Sequence, residues 1–148
     1  FQNLHLPLDF SDVENEFRDS RYTGPARRVT FEALGTSLAF VRGHLDALAN
    51  AGEFAQEFQE LLTEYCWGAV WGDETLDRKT RSMLNVVMLA ALNRMHEWEL
   101  HFRGAIVNGV SRDELKAILN QIAIYCGVPA SVECHRIAKR IFSELDGD

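Results

Sequence analysis

The stretch "MLNVVMLAALNRMHEWELHFRGAIVNG", residues 83–109, decides the fold. Its first ten residues are nearly all apolar and are broken only by Asn85. The next twelve hold two histidines, two glutamates, two arginines and Trp98. Placed at about 100° per residue, Met95, Trp98, Phe102 and Ala105 or Ile106 fall on one stripe, the mark of a helix with one face in a core. Asn108-Gly109 is a good left-handed stop. The stretch therefore predicts two consecutive helices, one from Arg78 to about Leu92 and one from near Arg94 to Asn108.

Working outward, Asp77 is placed to cap the first of these helices. Before it, "WGAVWGDETLD" (67–77) reads as a loop bearing two tryptophans. Phe54, Phe58, Leu61, Leu62 and Tyr65 predict an amphipathic helix ending near Gly68. Phe31, Leu34, Leu38, Val41, Leu45 and Leu48 predict another, with Gly52 suited to its stop. Downstream, Ser111 and Glu114 form an S-x-x-E capping box for a helix over Arg112 to Tyr125. Gly127 and Pro129 separate it from a last helix running to about Leu145. Residues 1–29 carry Pro7, Gly24 and Pro25 and no sustained period; they read as an extended arm with a short helix around Val13 to Phe17. The expectation is an all-α protein of about six helices with short connections, a single domain over 30–148 preceded by the arm at 1–29.

Composition narrows the functional classes. The chain has 148 residues, a formal charge of −7 and no run of lysine or arginine, so nothing supplies the basic stripe that nucleic-acid binding needs. The longest apolar run, Met83 to Leu92, is too short to cross a bilayer. Cys66, Cys126 and Cys134 form no C-x-x-C pair, and three cysteines cannot all pair within one chain. Free thiols and a cytoplasmic location are expected.

The polar cluster admits several chemistries. Glu97 and His101, four apart, are separated by only about 40° on the helix, so their side chains can meet. His96 and His101, five apart, diverge by about 140°, so the H-E-x-x-H pattern of a zinc protease is not met. Glu97 with His101 falls one or two ligands short of a catalytic zinc site, and no metal is expected. Glu99 and Arg103 make an ordinary surface pair. For Glu97 and His101 two readings remain open: a solvated Glu–His pair, or a carboxylate that orients an imidazole for proton transfer near neutral pH. His96 points away from the pair. His135 has no evident partner, and it, His5 and His44 are given no role.

Beyond these local readings, "EFQELLTEYCWGAVW" (57–71) and "LDRKTRSMLNVVMLAALNRMHEWELHFRGAIVNGVSRDELKAILNQIAIYCGVPASVECHRIAKRIF" (76–142) carry a dense set of motifs. They include the Trp-Gly-x-x-Trp segment, the L-D-R-x-T-R-S helix start, H-E-x-x-L-H, and the N-G-V-S-R-x-E-L turn. The chain resembles the carboxymuconolactone decarboxylase family over roughly residues 38–142, with the segment before Thr30 outside the resemblance. It departs from many relatives in having Met95 where they carry proline. The resemblance implies an AhpD-like helical fold, usually assembled as a homo-oligomer, trimer or hexamer. It also implies a cofactor-free lyase that decarboxylates a small lactone acid in aromatic catabolism. The peroxidase branch of that superfamily uses a C-x-x-C pair on the helix that here carries Arg94, Glu97 and His101, so thiol peroxidase activity is not expected.

Under that resemblance, His101 is expected to move the proton and Glu97 to orient it or share the proton. Arg78 and Arg81 are expected to bind substrate carboxylates, and Trp67 and Trp71 to wall the site. For the arginines, ion pairing with Glu64, Glu74 or Asp77 is the competing expectation; for the tryptophans, it is core or interface packing. Another acid–base reaction on the same scaffold, or a non-catalytic ligand-binding or assembly role, stands as the alternative function.

Overall fold

A computed structural model of the protein describes residues 50–147. Among them the elements are α1 (Gly52–Leu61), a π-helical segment (Leu62–Val70), α2 (Arg78–Ala91), α3 (Met95–Val107), α4 (Arg112–Tyr125) and α5 (Val128–Asp146), with no strand among the described residues. The fold is all-α. The helix expected over 31–48 and the arm at 1–29 lie outside the described residues. The chain divides into two compact units, Phe1–Glu74 and Thr75–Asp148.

In the first unit, α1 passes without a break into the π-helical segment. The expected end near Gly68 does not occur, and the loop begins at Trp71 instead of Trp67. The reason is local. A glycine inside a helix costs only about 1 kcal/mol, and widening the turn lets the Trp71 N–H reach the Cys66 carbonyl five residues back, at 2.9 Å. Thr63, fully buried, satisfies its hydroxyl by donating to the Gln59 carbonyl at 2.8 Å.

In the second unit, α2 starts where Asp77 accepts hydrogen bonds from the Thr80 backbone N–H at 2.7 Å and its hydroxyl at 3.1 Å. It ends at Asn93, whose φ of +54° is the left-handed conformation that asparagine tolerates better than most residues. The Arg94 N–H then donates to the Leu89 carbonyl at 2.9 Å, closing the turn. This tight reversal lays α3 back along α2. Three cross-links prove the antiparallel register: Trp98 Nε1 donates to the Val86 carbonyl at 2.9 Å, Asn85 meets His101 at 3.3 Å, and Asn108 donates to Ser82 Oγ at 2.8 Å.

The core forms where the apolar stripes of α2 to α5 converge. Val86, Trp98, Phe102, Ala105, Leu115, Ile122, Cys134 and Ile141 are all at most 1% exposed. Trp98 and Phe102 stack at 4.7 Å, and Phe142 meets Phe102 edge-on at 5.6 Å. The predicted stripe on α3 is this core face. The capping box is also present, with Ser111 and Glu114 each bonding the other's backbone N–H. Ser131, buried on α5, donates to the Leu119 carbonyl at 2.7 Å and ties α5 to α4. Glu99 proves to be more than half of a surface pair. It accepts from Arg103 at 3.1 Å and from Arg140 at 2.6 Å, while Arg103 also reaches Glu144, so a charge network fastens α3 to α5.

Candidate active site

The α2–α3 hairpin sets up the site. Asn85 and His101 each lie eight residues from the turn at Asn93, so the antiparallel register brings them face to face. Asn85 Nδ2 lies 3.3 Å from His101 Nδ1 in a half-buried contact. One turn before His101 on α3, Glu97 is exposed and acts on the ring through its charge. Burial pushes His101 below the usual histidine value, and the Glu97 carboxylate opposes that by raising it. Burial wins, so the ring is held neutral near neutral pH. Of the two groups expected to share a proton, one is therefore shielded and one stands in water.

The arginines are on the same helix as Asn85. Arg81 lies one turn before it and Arg78 two turns before it, about 6 Å and 10 Å along the axis on one side of α2. Arg81 Nε donates to the Leu76 carbonyl at 3.2 Å, which orients its guanidinium at the start of the helix. Asp77, a competing partner considered for both arginines, is engaged as the cap of α2. Among the described residues Arg78 makes no ion pair. Trp71 belongs to the first unit and is half-buried there; the side chain of Trp67 lies outside the described residues. The structure thus brings Asn85 to His101 with Glu97 one turn away on α3, and places Arg81 one turn before Asn85 on α2.

Asn85 was not among the residues singled out from the sequence. Its signal was there: it is the one polar interruption in the apolar run from Met83 to Leu92. His135 also has a partner after all, since its Nδ1 lies 2.8 Å from the Ser131 carbonyl, one turn back on α5. His96 is exposed, as the wheel predicted.

Among the described residues, no group of three or more His, Cys, Asp and Glu is arranged to hold a metal ion. No helix among them is long and apolar enough to cross a membrane. The Cys134 thiol is pushed up to about 11, chiefly by burial and then by the charge of Glu133, and burial also raises Cys66. Neither is a poised thiolate at neutral pH.

The chain is 37% identical over 99 residues to a 4-carboxymuconolactone decarboxylase of Acinetobacter baylyi, covering 67% of this chain and 74% of that one. It is 34% identical over 135 residues to a nitrosuccinic acid decarboxylase of Metarhizium robertsii, covering 91% of each. That second alignment is longer than residues 30–148 alone provide, so similarity reaches into the segment before Thr30, which the sequence reading had left outside. A protein of Paracoccus denitrificans with no assigned function is 26% identical over 87 residues. The model of the carboxymuconolactone decarboxylase family matches residues 56–140, taking in the arginines of α2, the turn at Asn93 and the Glu97–His101 helix. With a match over more than half its length and two decarboxylases among its relatives, the chain belongs to the carboxymuconolactone decarboxylase family.

Proposed function

We propose that this protein is a cofactor-free carboxy-lyase that removes carbon dioxide from a small carboxylated lactone of the 4-carboxymuconolactone type. The observation that carries this reading is the half-buried His101, flanked by Glu97 on its own helix and by Asn85 across the hairpin. The two decarboxylase relatives support the reaction class.

The chemistry asks for a place to put an electron pair. When carbon dioxide leaves a lactone acid, the C–C bond breaks and its pair moves through the adjacent double bond onto the lactone carbonyl oxygen. A proton from solvent then forms a C–H bond at the far carbon, so one proton is consumed for each carbon dioxide released. His101 would lie at the acceptor end, stabilising charge as it arrives there and passing the proton. Glu97, at the water edge, would exchange that proton with solvent. Arg81 and Arg78 would hold the substrate carboxylates through their guanidinium forks.

A nitro acid is the second reading, favoured by the 91% coverage of the nitrosuccinic acid decarboxylase. A nitro group accepts the same electron pair on its oxygens, so the two substrates need one kind of site. Purified protein is offered 4-carboxymuconolactone and nitrosuccinate separately, and carbon dioxide is measured. The expected result is release from the lactone acid with kcat on the order of 1 to 1,000 per second, the ordinary enzyme range. Release from nitrosuccinate alone replaces the first reading with the second. Release from neither overturns the proposal.

A further inference from the structure

We infer that Asn85 is a positioning residue for His101: its amide N–H holds the Nδ1 lone pair, so the neutral ring keeps its proton on Nε2 and meets the substrate through that nitrogen. The inference deepens the proposed decarboxylase reading and rests on it for its functional meaning.

The argument starts from the contact itself. Asn85 Nδ2 faces His101 Nδ1 at 3.3 Å. An amide nitrogen has only hydrogens to offer, so the ring nitrogen opposite it must present a lone pair. A neutral imidazole carries one N–H, and with Nδ1 accepting, that N–H is on Nε2. Burial keeps the ring in its neutral form, which makes the choice of tautomer consequential. The ring meets the charge of Glu97 from its own helix and the amide of Asn85 from α2. With the ring neutral, its tautomer is chosen by hydrogen bonding.

The contact is also placed to be stiff. Asn85 sits one residue from Val86, whose carbonyl is held by the Trp98 indole, and His101 is next to Phe102, fully buried against Trp98. The backbones carrying both partners are thus pinned by the core on each side of the hairpin, so their separation is set by packing and not by the polar contact alone. The chemical consequence is that His101 presents a hydrogen-bond donor to the oxygen that takes up the electron pair. A ring with its proton on Nδ1 would present a lone pair to that oxygen and repel the charge arriving there.

The test is a two-bond nitrogen–proton NMR correlation on the full chain with nitrogen-15 histidine, above the His101 titration. His101→Ala identifies the signal among the five histidines. The inference expects Nε2 protonated and Nδ1 bare in the wild type. In Asn85→Leu the tautomers should mix. In Asn85→Asp the carboxylate should draw the proton to Nδ1, a readout that remains if the leucine variant does not fold. On whichever substrate releases carbon dioxide, Asn85→Leu should lower kcat at least about tenfold and leave KM within about threefold, the split that marks an interaction made in the transition state. A proton on Nδ1 in the wild type overturns the inference, because the amide would then accept instead of donate. So does an Nε2 proton that ignores both substitutions. Neither NMR outcome depends on a substrate, so the tautomer can fail while carbon dioxide release stands, and the reverse.

Discussion

At His101 two influences oppose each other, and their balance is measurable. Burial lowers its proton affinity and the Glu97 carboxylate raises it, with burial the larger. Glu97→Gln removes the raising influence, so the His101 titration, followed by NMR, should move further below the usual histidine value. The sign for stability follows. The folded protein binds fewer protons than the unfolded chain between the usual value and the lowered one, so stability falls as pH drops through that window. It should fall over a wider window in Glu97→Gln. A midpoint that rises, or stays where it was, would show that the carboxylate does not act on the ring. At this scale the sequence was legible in part. Four-residue spacing put Glu97 and His101 on one side of a helix, because helical geometry alone decides that. Asn85 stood out as a polar interruption, but its partner was not legible, because only the turn sets which residue of the next helix lies opposite it.

Elements depend on that turn. Asn93 holds φ at +54°, a region that costs most side chains about 1–2 kcal/mol. Asn93→Val should therefore lower unfolding free energy by about 1–2 kcal/mol, while Asn93→Gly should leave it nearly unchanged or raise it. Urea denaturation measures both, and equal losses from valine and glycine would show that the side chain, and not its backbone angle, matters. The caps at Asp77 and Ser111 and the stop at Gly109 could be read from the sequence because each is a local pattern with its own hydrogen bonds. The end of the first helical stretch could not. Gly68 reads as a breaker, yet a five-residue hydrogen bond to Cys66 carries the backbone on to Val70. Glu99 shows the same limit: its partner on α3 is visible four residues away, whereas Arg140 lies 41 residues on and meets it only through packing.

For the molecule as a whole, the core explains why the polar edge can exist. Trp98, which helical spacing places on the core stripe, is fully buried in the chain's own core and is satisfied there by the Val86 carbonyl. The apolar half of α3 thus anchors the helix and leaves His101 half-shielded beside it. Exposed Leu84 and Met88 on α2, with Leu92 just past its end, remain apolar surface of this unit. The family could be read from motif density across residues 57–142, which no single spacing supplied. The relative role of each site residue could not, because proton transfer depends on burial and on the opposite helix. The claim on which the account turns is that His101 handles the charge and proton of decarboxylation. It is tested most directly by carbon dioxide release from 4-carboxymuconolactone by His101→Ala beside the wild type, with both helical signals recorded. The account predicts a kcat lower by at least about a hundredfold in a folded variant, within the usual range for acid–base groups. A folded His101→Ala that releases carbon dioxide at the wild-type rate would contradict it.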